Sequence, residues 1–190
     1  VTLRRLLPLG VALLLGACAT GGDYAAIDSC LAKNQSWNYT AGGCERSDPG
    51  PVEMILVDKS SHRMSVFRDG RVVREFRVAL GRGGPEPKQR QGDGRVPEGS
   101  YVITAHNPNS AYHLSLRIGY PTAEQIAAAA SGGEDPGGDI MIHGLPNNRG
   151  WIGAKHTKVD WTDGCIAVTN QEMDWLYRAV ADGTKIRIEA

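Results

Sequence analysis

From Val52 to Gly81 the chain runs in three short, partly alternating stretches separated by turn residues, and this pattern restricts the fold more than any other feature. "VEMILVDKS" (Val52 to Ser60), "HRMSVFRDG" (His62 to Gly70) and "RVVREFRVALG" (Arg71 to Gly81) are rich in β-branched residues and read as strands. Asp69-Gly70 signals a tight hairpin between the second and the third. "GRGGPEPKQRQGDGRVPEG" (81–99) has too many glycines and prolines for regular structure, and a loop of that length is usually functional or disordered. Strand-like runs resume at "SYVITAH" (Ser100 to His106) and "YHLSLRIG" (Tyr112 to Gly119). "GDIMIH" ends a short buried strand at His143, "CIAV" begins another at Cys165, and "TKIRIEA" closes the chain with alternation.

Two helices interrupt this series. Thr122 and Gln125 stand at capping-box spacing ahead of "TAEQIAAAAS". Thr169 and Glu172 do the same ahead of "TNQEMDWLYRAVADG", with apolar residues at 173, 176 and 180 and Gly183 as the expected stop. A chain of 190 residues without internal repeats suits one domain. The expected fold is therefore mainly β, largely antiparallel, with two short helices.

Residues 1–17 stand apart from that domain. Arg4 and Arg5 precede an apolar stretch far too short to span a bilayer, which reads as an export leader. Its ending, "LGAC", resembles the lipobox of bacterial lipoproteins, which implies cleavage before Cys18 and a lipid on its thiol. Residues 18–50 read as a linker carrying a Cys30–Cys44 loop, disulfide-bridged in an exported chain. The 21 basic and 21 acidic residues balance, and loss of Arg4 and Arg5 tips the remainder slightly acidic. No basic face is implied, so nucleic acid is not an expected partner.

Cys165, in "TDGCIAV", is then left without a disulfide partner. An inert buried thiol is one reading. A zinc ligand is another, since His143, His156 and Asp163 are legal co-ligands, although no tight ligand spacing occurs. The third is a nucleophile, with His143 at the end of one strand serving a thiol at the start of another. Gly164 would give the backbone room to aim amide N–H groups at an oxyanion.

The stretch "IMIHGLPNNRGWIGAKHTKVDWTDGCIAVTNQEM" resembles the signature of the L,D-transpeptidase catalytic (YkuD) domain: His-Gly, a variable stretch, then Ser/Thr-His-Gly-Cys, an apolar run and an asparagine. "GDGRVPEGSYVIT", "NPNSAYHLSLRIGYP" and "DPGGDIMIHG" extend the resemblance over roughly residues 52–190. It implies an L,D-transpeptidase-type β-sandwich at 51–190, acting on peptidoglycan stem peptides in the cell envelope or periplasm. The enzyme it implies needs no cofactor or metal, and a monomer held on a membrane by the Cys18 lipid is the expected form.

By position, Cys165 matches the nucleophile, His143 the base, and Gly144 the residue whose carbonyl orients the imidazole. Gly164 and Cys165 match the oxyanion donors, and Asn170 the trailing asparagine. Asp163 stands where the common motif has a second histidine, which resembles the YafK-like branch with "DGC". A carboxylate there opposes thiolate formation unless it is paired. Tyr112, Trp151 and His156 are expected to meet substrate, with Arg149 beside them in an insert able to cover the site. His156 is the candidate to replace the missing histidine, although its lysine-flanked setting, "AKHTK", favours a solvated side chain. Two other activities stay open: a hydrolase that clips stem peptides or releases groups attached to them, and an inactive peptidoglycan-binding lipoprotein.

Overall fold

The computed structural model describes residues 51–190, Ser29, and the backbone of two short strands, Ser36–Asn38 (β1) and Gly43–Glu45 (β2). These two pair antiparallel, with Trp37 opposite Cys44. The leader, Cys18, Cys30 and the Cys44 side chain lie outside the described residues.

Asp48–Ala190 forms a compact unit of its own. Its strands are β3 (Met54–Asp58), β4 (Arg63–Arg68), β5 (Arg71–Arg77), β6 (Gly99–Asn107), β7 (Ser115–Ile118), β8 (Met141–His143), β9 (Ile166–Ala167) and β10 (Lys185–Glu189). They make one sheet in the order β5-β4-β3-β10-β6-β7-β8-β9. All neighbours are antiparallel except β3–β10 and β8–β9. Alternation decides the faces: Ile55 and Val57 of β3 and Ile186 and Ile188 of β10 are buried. Asp69 and Gly70 both take positive φ, 51° and 67°, as a two-residue hairpin turn of the primed type requires.

The sheet curls. Past β5 the chain bridges β9 at Ala79–Ala167 and pairs Gly81 with Thr162, so the strand that starts at one edge ends against the other. The core is formed by Met64, Val66, Ile103, Leu116, Ile118, Ile142, Ile166 and their neighbours. Helix α1 (Ala123–Ser131) and helix α2 (Asn170–Ala179) both carry complete capping boxes, from Thr122 with Gln125 and from Thr169 with Glu172. Only α2 buries side chains, Met173, Leu176 and Ala179. It ends at Ala179, short of the expected stop at Gly183. Tertiary bonds pull the chain away there: His106 Nε2 meets the Val180 carbonyl at 2.9 Å, and Gly183 N–H donates to the Ile103 carbonyl at 2.7 Å.

The segment 81–99 is irregular but held by one carboxylate. Asp93 accepts the backbone N–H groups of Gln89, Arg90 and Arg95 and pairs with Lys88 at 2.9 Å. Burial alone would raise the Asp93 carboxyl, but these donors outweigh it and hold it well below the usual range.

Candidate active site

Strands β8 and β9 run parallel, with Ile142 opposite Ile166 and His143 opposite Ala167. Side chains alternate across a sheet, so Ile142 and Ile166 fill the core while Met141, His143 and Cys165 share the other face. Cys165 immediately precedes β9, diagonal to His143 across the strand pair. The thiol and the imidazole thus line one cleft of about 370 Å³, together with Tyr112, Asp139, Met141, Trp161, Thr162 and Asp163.

His143 is 4% exposed, and its Nδ1 lies 2.7 Å from the Gly144 carbonyl. A carbonyl can only accept, so Nδ1 carries the proton and Nε2 keeps its lone pair. The same peptide unit is gripped from its other side, where Leu145 N–H donates to Asn170 Oδ1 at 2.8 Å. Asn170 opens α2, and it orients the peptide that orients the histidine. The rings of Tyr112 and Trp161 stand 4.6 and 5.6 Å from the imidazole, centroid to centroid. Burial pushes the His143 pKa down; the Gly144 bond opposes this, and His156 adds to it. His143 is therefore neutral near pH 7.

The Cys165 thiol donates to the Asp139 carbonyl at 3.5 Å rather than to the imidazole. Burial raises its pKa above the ordinary 9.0, helped by the Asp163 and Asp139 charges and opposed by the Met141 N–H and by Lys88. At rest, both partners are uncharged. Iodoacetamide alkylation of Cys165 should therefore keep accelerating with pH through 9, because the thiolate fraction rises only as the elevated pKa is approached. A plateau already reached below pH 7 would mean a preformed thiolate–imidazolium pair and contradict this resting state.

Asp163 is answered by Arg82, whose guanidinium lies 2.6 Å from its carboxylate, and both side chains are exposed. Paired and solvated, the charge opposes the thiolate less than its sequence position suggests. Gly164 adopts φ 120°, and Arg95 O would lie 2.6 Å from a β-carbon placed there. Gly81 is pressed in the same way by Gly94 O. The glycine-rich loop thus backs directly onto the turn that presents Cys165. Expected as an oxyanion donor, the Gly164 N–H instead reaches Thr162 Oγ1 at 3.3 Å, and that hydroxyl donates to the Cys165 carbonyl at 2.7 Å.

The cleft brings together Tyr112, His143, Asp163 and Cys165, but it omits two of the three residues expected to meet substrate. Trp151 is 83% exposed, in a 3₁₀ stretch over Gly150–Lys158, and does not line the cleft. His156 is buried at 5% exposure, against the expectation of a solvated loop side chain. The short stretch turns this residue inward while Lys155 and Lys158 on either side face solvent or the rim. His156 lines a different cavity, so it does not stand in for the missing motif histidine. Among the described residues no group of three or more His, Cys, Asp or Glu is placed to hold a metal, so the zinc donor set does not assemble. Trp161, Asp139 and Thr162 were missed. Trp161 and Thr162 sit within four residues of Cys165, but only the pairing of β8 with β9 brings Asp139 to the thiol.

The sequence profile of the L,D-transpeptidase catalytic domain (YkuD) matches residues 53–188. The chain belongs to the L,D-transpeptidase catalytic domain family. YafK of Escherichia coli K12, named as an L,D-transpeptidase, is 33% identical over 108 residues, which are 55% of this chain and 36% of YafK. YqjB of Bacillus subtilis 168, similarly named, is 25% identical over 135 residues, 70% of this chain and 69% of that one. The chain thus spans about a third of YafK. Among solved structures, the helical cell shape determining protein Pgp2 of Campylobacter jejuni superposes with a TM-score of 0.56 at 24% identity, covering 74% of this chain and 48% of Pgp2. That likeness concerns the fold. The L,D-transpeptidase domain here is the mainly β domain expected from the sequence, built on one curled sheet.

Proposed function

We propose that the domain is a cysteine acyltransferase acting on peptidoglycan stem peptides. The carrying observation is the cleft in which a half-buried thiol and an imidazole with a fixed tautomer share one sheet face. The reading of the residues supports the chemistry, and family membership supports the substrate class.

Because both groups rest uncharged, activation accompanies attack. His143 Nε2 takes the proton from Cys165 Sγ as sulfur bonds to the amide carbonyl carbon at the L-centre of a diamino acid. The resulting imidazolium gives that proton to the departing amine of the terminal D-amino acid, leaving a thioester on Cys165. A second amine, or water, then attacks the thioester carbonyl, loses its proton to His143, and the thiol is released. The Gly144 carbonyl steadies the imidazolium as a triad aspartate would. Tyr112 and Trp161 wall the ring off from solvent.

Incubation with purified stem tetrapeptide, followed by mass spectrometry, tests this. Cross-linked dimer means transpeptidation, and a shortened monomer means hydrolysis on the same site. Unchanged peptide with unmodified Cys165 would leave only a binding role and end the proposal.

To the same reading belong an export leader, a lipid on Cys18 and a cell-envelope location. So does a Cys30–Cys44 bridge, which would stabilise by roughly 3 kcal/mol through loss of chain entropy in the unfolded state. Non-reducing peptide mapping of the exported protein should find that bridge. Free thiols at both positions would overturn it.

A further inference from the structure

Between β6 and β7 the chain makes a turn that lays the Tyr112 ring against the imidazole of His143. The next residue, His113, has φ 69°. A backbone in that region is strained for a residue with a β-carbon, and it persists only where its surroundings hold it. Two contacts hold this one. The His113 N–H donates to Asn147 Oδ1 at 3.0 Å, and its ring Nε2 lies 2.7 Å from Asp174 Oδ1. A carboxylate only accepts, so Nε2 carries a proton and donates. No step of the proposed reaction uses either residue.

Asp174 stands four residues after Asn170, on the same face of α2. The two side chains therefore act on one place from one helix. Asn170 grips the Leu145 N–H behind the imidazole, and Asp174 grips the turn that covers it. The turn, β8 and α2 converge at Gly144. A β-carbon added there would lie 2.8 Å from Asn170 Oδ1 and 3.0 Å from both His113 Cβ and the Tyr112 carbonyl oxygen. The His113–Asp174 pair is partly exposed, so it adds little net stability. What it fixes is a place, because lifting the turn from Gly144 breaks it.

We propose that His113 and Asp174 are positioning residues for the base: their bond pins the Tyr112 turn to α2 and so keeps the His143 imidazole covered and in one orientation. This deepens, and rests on, the reading of His143 as the base given above. Burial is the main influence that holds the His143 pKa down, and Tyr112 is part of that cover. Uncovering the ring therefore raises its pKa, whereas removing a nearby carboxylate by charge alone lowers it. The sign of the shift separates a positioning role from an electrostatic one.

The test follows the His143 titration by NMR of the full chain labelled at histidine ring nitrogens. The titratable groups around that ring are Tyr112 from the turn, Cys165 and Asp163 ahead of β9, Asp139 ahead of β8 and His156 from the 3₁₀ stretch. All of them are kept in every variant. In Asp174→Ala the His143 pKa should rise by at least about 0.5. His113→Asn tolerates positive φ but is too short to reach Asp174, and should raise it as much. The two together should do no more than either alone, because they break one bond. Asp174→Asn keeps an acceptor for the ring N–H and should hold the wild-type titration. With saturating stem tetrapeptide, acyl-enzyme formation should slow about tenfold in the first two variants, from misplacement of the base.

An unchanged or lowered His143 pKa in Asp174→Ala would overturn the proposal. So would additive effects in the double variant, Asp174→Asn behaving as Asp174→Ala, or acylation as fast as wild type. If Asp174→Ala unfolds, His113→Asn decides by the same signs. The titration needs no substrate. The expected shifts in a protein whose Cys165 never becomes acylated would sink the proposed reaction and leave the pinned turn standing.

Discussion

Cys165→Ala should abolish turnover of stem tetrapeptide, by more than about a thousandfold, while leaving the melting temperature nearly unchanged. The thiol is small and half-buried, so its loss opens little void, and its bond to Asp139 O is a long one. His143→Ala should reduce acylation by about a hundred- to ten-thousandfold, because sulfur loses its base and the leaving amine its proton donor. Alkylation of Cys165 by iodoacetamide should retain its pH profile in that variant, since the resting imidazole carries no charge to lose. Intact-mass kinetics of acyl-enzyme formation measures the first effect for both variants. A Cys165→Ala protein keeping a tenth of wild-type activity would sink the nucleophile, and a fully active His143→Ala protein would sink the base.

Gly164→Ala should cost the fold at least about 3 kcal/mol, from positive φ and from backbone overlap together. At 120°, φ lies where L-residues are strained, and the new methyl carbon would meet Arg95 O at 2.6 Å. Main chain cannot swing aside as a side chain can, so the glycine-rich loop must shift and carry the Cys165 turn with it. The melting temperature should fall by roughly 10 °C. Gly70→Ala is the control: it too has positive φ, 67°, but nothing lies within 4 Å of the added carbon. It should cost only about 1 kcal/mol. Equal losses in thermal denaturation would show that the close approach at Gly164 contributes nothing.

The strands and helices were legible because they rest on local rules. Alternation in "MILVD" and "KIRIE" sets which residues face the core, Asp69-Gly70 sets a hairpin, and Thr169 with Glu172 caps a helix whatever lies nearby. That Cys165 and His143 would share one cleft, with the Gly144 carbonyl on the imidazole, could be expected from the motif the two stretches resemble, and the structure places them so. Helix α2 shows where such rules stop: Gly183 is a valid local stop, yet His106 and Ile103, both on β6, draw the chain off earlier.

What only the tertiary structure decided lies in contacts between distant segments. Asp163 reads as an obstacle until Arg82, eighty-one positions earlier, is found beside it. Asn170 reads only as the motif's trailing asparagine until its side-chain carbonyl is found accepting from the Leu145 N–H. His156, flanked by lysine in the sequence, reads as solvated, but a side chain's burial is set by which way its turn faces the core. Gly81 reads as the end of a strand-like run and Gly164 as room for aimed amides, whereas each also lets two backbones meet. Sequence patterning determines what each segment prefers by itself; the closing of the sheet, with Ala79 against Ala167 and Gly81 against Thr162, decides which segments share a wall, and therefore which groups can act on one another.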